Sequence, residues 1–147
     1  MAQGHGGILT AWSHTMSLVA TCHCGQTKIE LPHLPTSAKE CNCSFCGKSG
    51  AVWGYFGEGE LKMLSATAEK TYSASGMNMH HFCSNCGMQT WGDSPDWASM
   101  YNSDGTPKNG DPNSFPTART YAVNLRLVDG LDLSTIVVEK MDGRNSW

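Results

Sequence analysis

Long apolar runs are missing from the sequence, and no stretch approaches the roughly 20 residues that a membrane-spanning helix needs. Blocks of Lys or Arg are missing too, and the net charge of −3 offers no electrostatic footprint for nucleic acid. Helical periodicity is scarce. Hydrophobic residues make up only 39%, which argues against a large helical core and for a loop-rich, strand-rich domain stabilised by something besides burial. No positively charged segment precedes an apolar stretch at the N-terminus, so residues 1–15 do not read as a signal peptide. They are expected to be a flexible extension or cloning scar, with Met16 the natural start and residues 16–147 the working domain. His5 and His14 lie in that extension and are assigned no role.

Isolated cysteines are also absent. All seven fall in three tight groups: Cys22-His23-Cys24-Gly25, Cys41-Asn42-Cys43-Ser44-Phe45-Cys46-Gly47 and Cys83-Ser84-Asn85-Cys86-Gly87. An odd number at C-x-C and C-x-x-C spacing fits a metal protein in a reducing compartment better than a secreted disulfide framework, so a cytoplasmic location is expected. Paired thiolates at this spacing form a pincer for a soft cation, zinc above all. A redox C-x-x-C would leave the C-x-C pairs unexplained. Gly25, Gly47 and Gly87 each follow a cluster, where a turn with positive φ would suit glycine.

Structural zinc takes four ligands, so seven thiols divide naturally into a closed set of four and an open set of three. Spacing alone does not decide the partition. The simplest geometry pairs Cys22 and Cys24 with Cys83 and Cys86 and leaves Cys41, Cys43 and Cys46 as a tripod on one loop.

Strand character is expected at 18–21, 26–31, 51–56, 70–74, 79–82, 88–91, 120–127 and 136–139, with one helical turn at 36–40 and another at 131–135, where Asp132 or Ser134 could cap. Residues 93–118 are rich in Asp, Ser, Pro, Gly and Asn and read as a long surface loop. The sum is an all-β domain of mainly antiparallel hairpins carrying metal at their turns.

The cysteine order, with Lys48 after the second cluster and Phe82 and Trp91 flanking the third, resembles the glutathione-dependent formaldehyde-activating enzyme family, which includes the centromere protein V type. The segments 122–130 and 141–145 resemble that family's closing motifs. The resemblance runs from about Met16 to the end, with the 93–118 loop as an insertion-like departure. It implies a β-tent fold with two zinc ions. Carried over by motif, Cys22, Cys24, Cys83 and Cys86 hold the structural zinc, and Cys41, Cys43 and Cys46 hold the catalytic one. It also implies glutathione as co-substrate.

Three thiolates leave bound Zn²⁺ with net negative charge, which disfavours zinc-hydroxide hydrolysis and favours a thiol as the fourth ligand. Zinc would hold that thiol as thiolate near neutral pH, against a free thiol pKa of about 8.5. Two reactions follow: addition of glutathione to formaldehyde to give S-(hydroxymethyl)glutathione, or cleavage of a carbon–sulfur bond in a thiol adduct. The expectation is a zinc-dependent carbon–sulfur lyase acting on a small thiol or thioether, with no nucleic-acid or membrane partner and a homodimer left open. The rival is a non-catalytic zinc module that docks a protein. An unclosed set of three thiolates is what a pure scaffold would not need.

Lys48, Asn124 and Arg126 are candidates for binding the co-substrate's carboxylates, the last two on one strand face. Solvated or purely structural roles compete for each. Asn42 and Ser44 sit between ligands and could tune the sulfurs. Trp53, Tyr55 and Phe56 could wall a pocket or fill the core. Of His80 and His81, strand alternation turns one toward the cluster side and one away.

Overall fold

The computed structural model describes residues 17–35 and 37–146. The extension expected at 1–15, with His5 and His14, lies outside the described residues. Ten strands dominate: β1 (Leu18–Thr21), β2 (Thr27–Leu31), β3 (Ala38–Cys41), β4 (Trp53–Gly57), β5 (Lys62–Ala66), β6 (Glu69–Tyr72), β7 (Met79–Cys83), β8 (Gln89–Pro95), β9 (Arg119–Asn124) and β10 (Val138–Met141). The two short helices are α1 (Cys46–Ser49) and α2 (Gly143–Ser146). They form a three-stranded sheet, β1-β2-β5, and a seven-stranded sheet, β10-β3-β4-β9-β8-β7-β6.

The core lies between the sheets. β2 buries Thr27, Ile29 and Leu31 and turns Lys28 outward, the period-2 alternation written in its sequence. Ile29 and Leu31 join one buried cluster with Ala20 from β1, with Ala38, Phe56 and Val123 from the larger sheet, and with Val52 and Leu125, which flank its strands β4 and β9. Packing is close at Gly54, where a Cβ would stand 2.8 Å from both Leu125 and Pro35 side-chain atoms. Phe56 is thus a core residue; Trp53 and Tyr55 share the opposite face, where Trp53 is buried and Tyr55 is exposed.

The all-β expectation holds, with specific differences. The helical turn expected at 36–40 is instead β3, which pairs antiparallel with Trp53 and Gly54 of β4 and parallel with β10. Hydrogen bonds on both edges outweigh a single helical turn, whose nucleation is costly. β10–β3 is a parallel pair in an otherwise antiparallel architecture, in register Met141↔Cys41. β5 lies outside the segments expected to be strands, since Lys62, Met63 and Leu64 are all exposed and impose no alternation. β9 stops at Asn124 and passes into a 3₁₀ turn over Leu125–Leu127, so Asn124 and Arg126 do not alternate on one strand as expected. The turn at 133–135 is capped by Asp132, whose side chain accepts from the Ser134 N–H.

The presumed loop begins later than 93, because β8 runs to Pro95. Beyond it a 3₁₀ turn at Trp97–Ser99 and a bridge between Tyr101 and Pro107 give the segment order of its own. Trp97 packs against Tyr101 and Phe115, and the Tyr101 hydroxyl donates to the carbonyls of Pro112 and Ser114. This is a compact surface loop packed by its own side chains.

Candidate metal centre and adjoining clefts

Two hairpin turns from distant parts of the chain bring four sulfurs together. Cys22 and Cys24 leave β1, and Cys83 and Cys86 bracket the β7–β8 turn; the four sulfurs lie within 4.8 Å of one another. Each turn closes on a glycine with positive φ, Gly25 at 82° and Gly87 at 76°. The Gly25 N–H donates to the Cys22 carbonyl and the Gly87 N–H to the Cys83 carbonyl. Cys24 Sγ stands 3.7 Å from Cys22 Sγ and 3.6 Å from Cys83 Sγ. A disulfide would require about 2.05 Å. A tetrahedron with metal–sulfur bonds of about 2.3 Å has edges of about 3.8 Å, so these spacings suit four thiolates around one cation.

The titration behaviour agrees. Burial opposes ionisation of Cys22, but the Thr27 N–H at 3.2 Å and the thiols of Cys24, Cys83 and Cys86 bring its pKa down to about 6. Cys83 accepts from the Cys86 and Asn85 N–H groups, yet burial and its sulfur neighbours Cys24 and Cys86 drive it up to about 11. Thiols this close cannot all ionise without a cation.

The second cluster is built differently. Cys41 ends β3, Cys43 lies in the following turn and Cys46 opens α1; their sulfurs also lie within 4.8 Å of one another. Among the described residues no fourth His, Cys, Asp or Glu joins them. Backbone N–H groups face the sulfurs: Cys43 N–H to Cys41 Sγ and Cys46 N–H to Cys43 Sγ, both 3.4 Å. The indole Nε1 of Trp53 donates to Cys46 Sγ at 3.4 Å. Burial, above all, pushes the Cys46 thiol up to about 12; the Trp53 bond opposes this, and Cys43 and Cys41 add to it. Gly47 departs from the pattern of Gly25 and Gly87. It continues into α1, and the positive φ of 68° falls on Gly50, the residue that ends that helix.

The segment 42–50 stands between two clefts. One, of about 380 Å³, is lined by Cys41 and Cys46 together with Glu40, Lys140 and Asp142. The other, of about 750 Å³, is lined by Ser44, Phe45, Lys48, His80, Asn124 and Arg126, among others. The three residues suggested for co-substrate binding therefore share the larger cleft. They are not equivalent. Asn124 Oδ1 accepts from Val52 and Arg126 N–H groups and its Nδ2 donates to the Gln89 carbonyl, so most of its capacity holds backbone in place. Arg126 donates its Nε to the Gly50 carbonyl at 2.7 Å. Lys48 is exposed and makes no ion pair among the described residues.

The two adjacent histidines diverge as alternation requires. His80 stacks on Phe45 with ring centroids 3.7 Å apart and faces the larger cleft. Burial and then His81 hold its pKa below the usual histidine value. His81 turns the other way, stacking on Trp91 and bonding Asp93 at 2.7 Å. Arg119 also grips Asp93 and reaches the Met77 carbonyl, which places it in this structural network away from the cysteines.

The described residues hold no helix long and apolar enough to cross a membrane. A crystal structure of a Rhodobacter sphaeroides protein is similar, with a TM-score of 0.58 and 23% identity over 82% of this chain and 99% of that one. No curated protein matches the sequence significantly. The family model for glutathione-dependent formaldehyde-activating enzymes matches residues 17–120, a span that holds all seven cysteines and Lys48 and stops short of Asn124 and Arg126. With most of its length and its whole cysteine set inside that match, the chain belongs to the glutathione-dependent formaldehyde-activating enzyme family.

Proposed function

We propose that the protein is a zinc-dependent enzyme that makes or breaks a carbon–sulfur bond in a glutathione-type adduct, with residues 16–147 as one zinc domain holding two ions. Cys22, Cys24, Cys83 and Cys86 would hold the structural ion, and Cys41, Cys43 and Cys46 the catalytic one. The observation that carries the reading is the three-sulfur set on one loop, with no fourth ligand among the described residues and with Cys41 and Cys46 lining a cleft. When bound there, zinc supplies a soft electrophilic centre that favours the thiolate form of an incoming thiol.

The chain's own residues support the rest. Lys48 and Arg126 give the larger cleft two positive charges, suited to the carboxylates of glutathione. Asn124 shapes that cleft by anchoring Val52, Gln89 and Arg126. In the forming direction the thiol loses its proton, sulfur bonds the carbonyl carbon of formaldehyde, and the C=O pair moves to oxygen, which takes up a proton. The product is S-(hydroxymethyl)glutathione, and the lyase direction is the reverse. His80, kept neutral by burial on the cleft wall, is suited to accept the thiol proton in one direction and return it in the other.

The test is Cys46→Ala, compared with the parent for zinc per chain and for glutathione binding by calorimetry. The expected result is a fall from two zinc ions to one, with loss of glutathione binding and retention of the fold. Undiminished glutathione binding would remove the tripod from the reaction.

A further inference from the structure

The three-thiol loop is held from an unexpected direction. Asn42 lies between Cys41 and Cys43, and its side chain turns away from both toward the chain's last segment. Its Nδ2 donates to Asp142 Oδ1 at 2.8 Å. Its Oδ1 accepts the Arg144 backbone N–H at 2.9 Å. Its own backbone N–H donates to the Met141 carbonyl at 3.1 Å. Asp142 is oriented in turn by Asn145, whose Nδ2 reaches both carboxylate oxygens at 3.0 and 2.8 Å. Three separate bonds thus fix one residue, from partners at the end of β10 and just beyond it.

The backbone at residue 42 sets how far the Cys41 and Cys43 sulfurs stand apart. It also sets whether the Cys43 N–H meets Cys41 Sγ, a contact made across that one residue. Nothing comparable is needed at the four-thiol cluster, where glycine turns and paired strands define the sulfur positions. We propose that Asn42 is a positioning residue for the three-thiol centre, and that Asp142 with the Arg144 backbone forms a clamp that presets this centre for its metal. The proposal rests on the tripod's being a metal site. It goes beyond the family match, which ends before residue 142.

The clamp is tested by zinc release from the folded, zinc-loaded chain into a colorimetric chelator. Two phases of one zinc each are expected from the parent, the faster identified by its disappearance in Cys46→Ala. Asn42→Ala and Asp142→Ala should each accelerate the fast phase about 10–100-fold, the range typical for loss of a residue that orients a ligand. The slow phase should stay within about twofold of the parent, since the four-thiol cluster shares no partner with the clamp. Asp142→Asn keeps an oxygen that can accept from Asn42 and should return most of the lost retention. An unchanged fast phase, or equal acceleration of both phases, would overturn the clamp. A parent that binds one zinc and behaves as Cys46→Ala does would overturn the metal assignment of the tripod itself.

Discussion

Two sulfur clusters in one small domain are assembled by opposite means. The four-thiol cluster joins segments some 60 residues apart and ties the end of β1 to the β7–β8 turn, with Cys24 and Cys83 in contact. The three-thiol cluster joins nothing distant by its own sulfurs, since its ligands span six residues of a single loop. A metal that cross-links separate sheets contributes to folding. On the proposed reading, one gathered by a loop that neighbouring strands already support would contribute chemistry with little consequence for the fold.

The sharpest way to break this contrast is Cys83→Ser beside Cys46→Ala. Structural zinc contributes on the order of 10–16 kcal/mol, comparable to the whole stability of a small domain. Cys83→Ser should therefore abolish cooperative thermal unfolding, as should stripping metal with a strong chelator. Cys46→Ala should keep its transition within about 5 °C of the parent. Comparable melting of both variants would erase the division of labour.

Substrate capture sharpens the comparison from the other side. Lys48→Ala should weaken glutathione binding about 3–10-fold, as expected for a partly exposed charge pair, and the loss should shrink in high salt. Arg126→Ala should cost at least as much, because it also releases the Gly50 carbonyl at the end of α1. Neither should alter zinc content, which elemental analysis checks.

The smallest effect concerns His80. Its folded pKa lies below the unfolded value of about 6.5, so the unfolded chain takes up the proton first as pH falls. Stability is undiminished by this group above that pH and is lost as pH drops toward the folded pKa. His80→Gln should flatten the fall in stability between pH 7 and 5, measured by denaturant titration. An unchanged slope would mean the ring is not held neutral.

The three cysteine clusters were legible in the sequence, but spacing did not decide how they divide; the family resemblance implied the four-plus-three grouping that the sulfur positions show. The strands were legible where one face is buried, as in β2 with its Ile29 and Leu31. β5 was not, since neither of its faces is buried enough to impose alternation. The helical turn expected at 36–40 failed because the decisive partners of β3 lie in β4 and β10, beyond any local pattern. The clefts were invisible for the same reason. Lys48 and Arg126 line one cleft although 78 positions separate them, and Arg126 sits on a 3₁₀ turn where β9 was expected to continue.

Residues 41–46 leave the ribosome well before the partners that steady them, since Asn42 waits for Asp142 and Arg144, 100 and 102 positions later. At about 5–20 residues per second this is an interval of roughly 5–20 s. The four-thiol cluster can close earlier, once Cys86 has emerged. On the proposed reading the four-thiol site would be complete first, and the clamp on the three-thiol loop only after synthesis has passed residue 144.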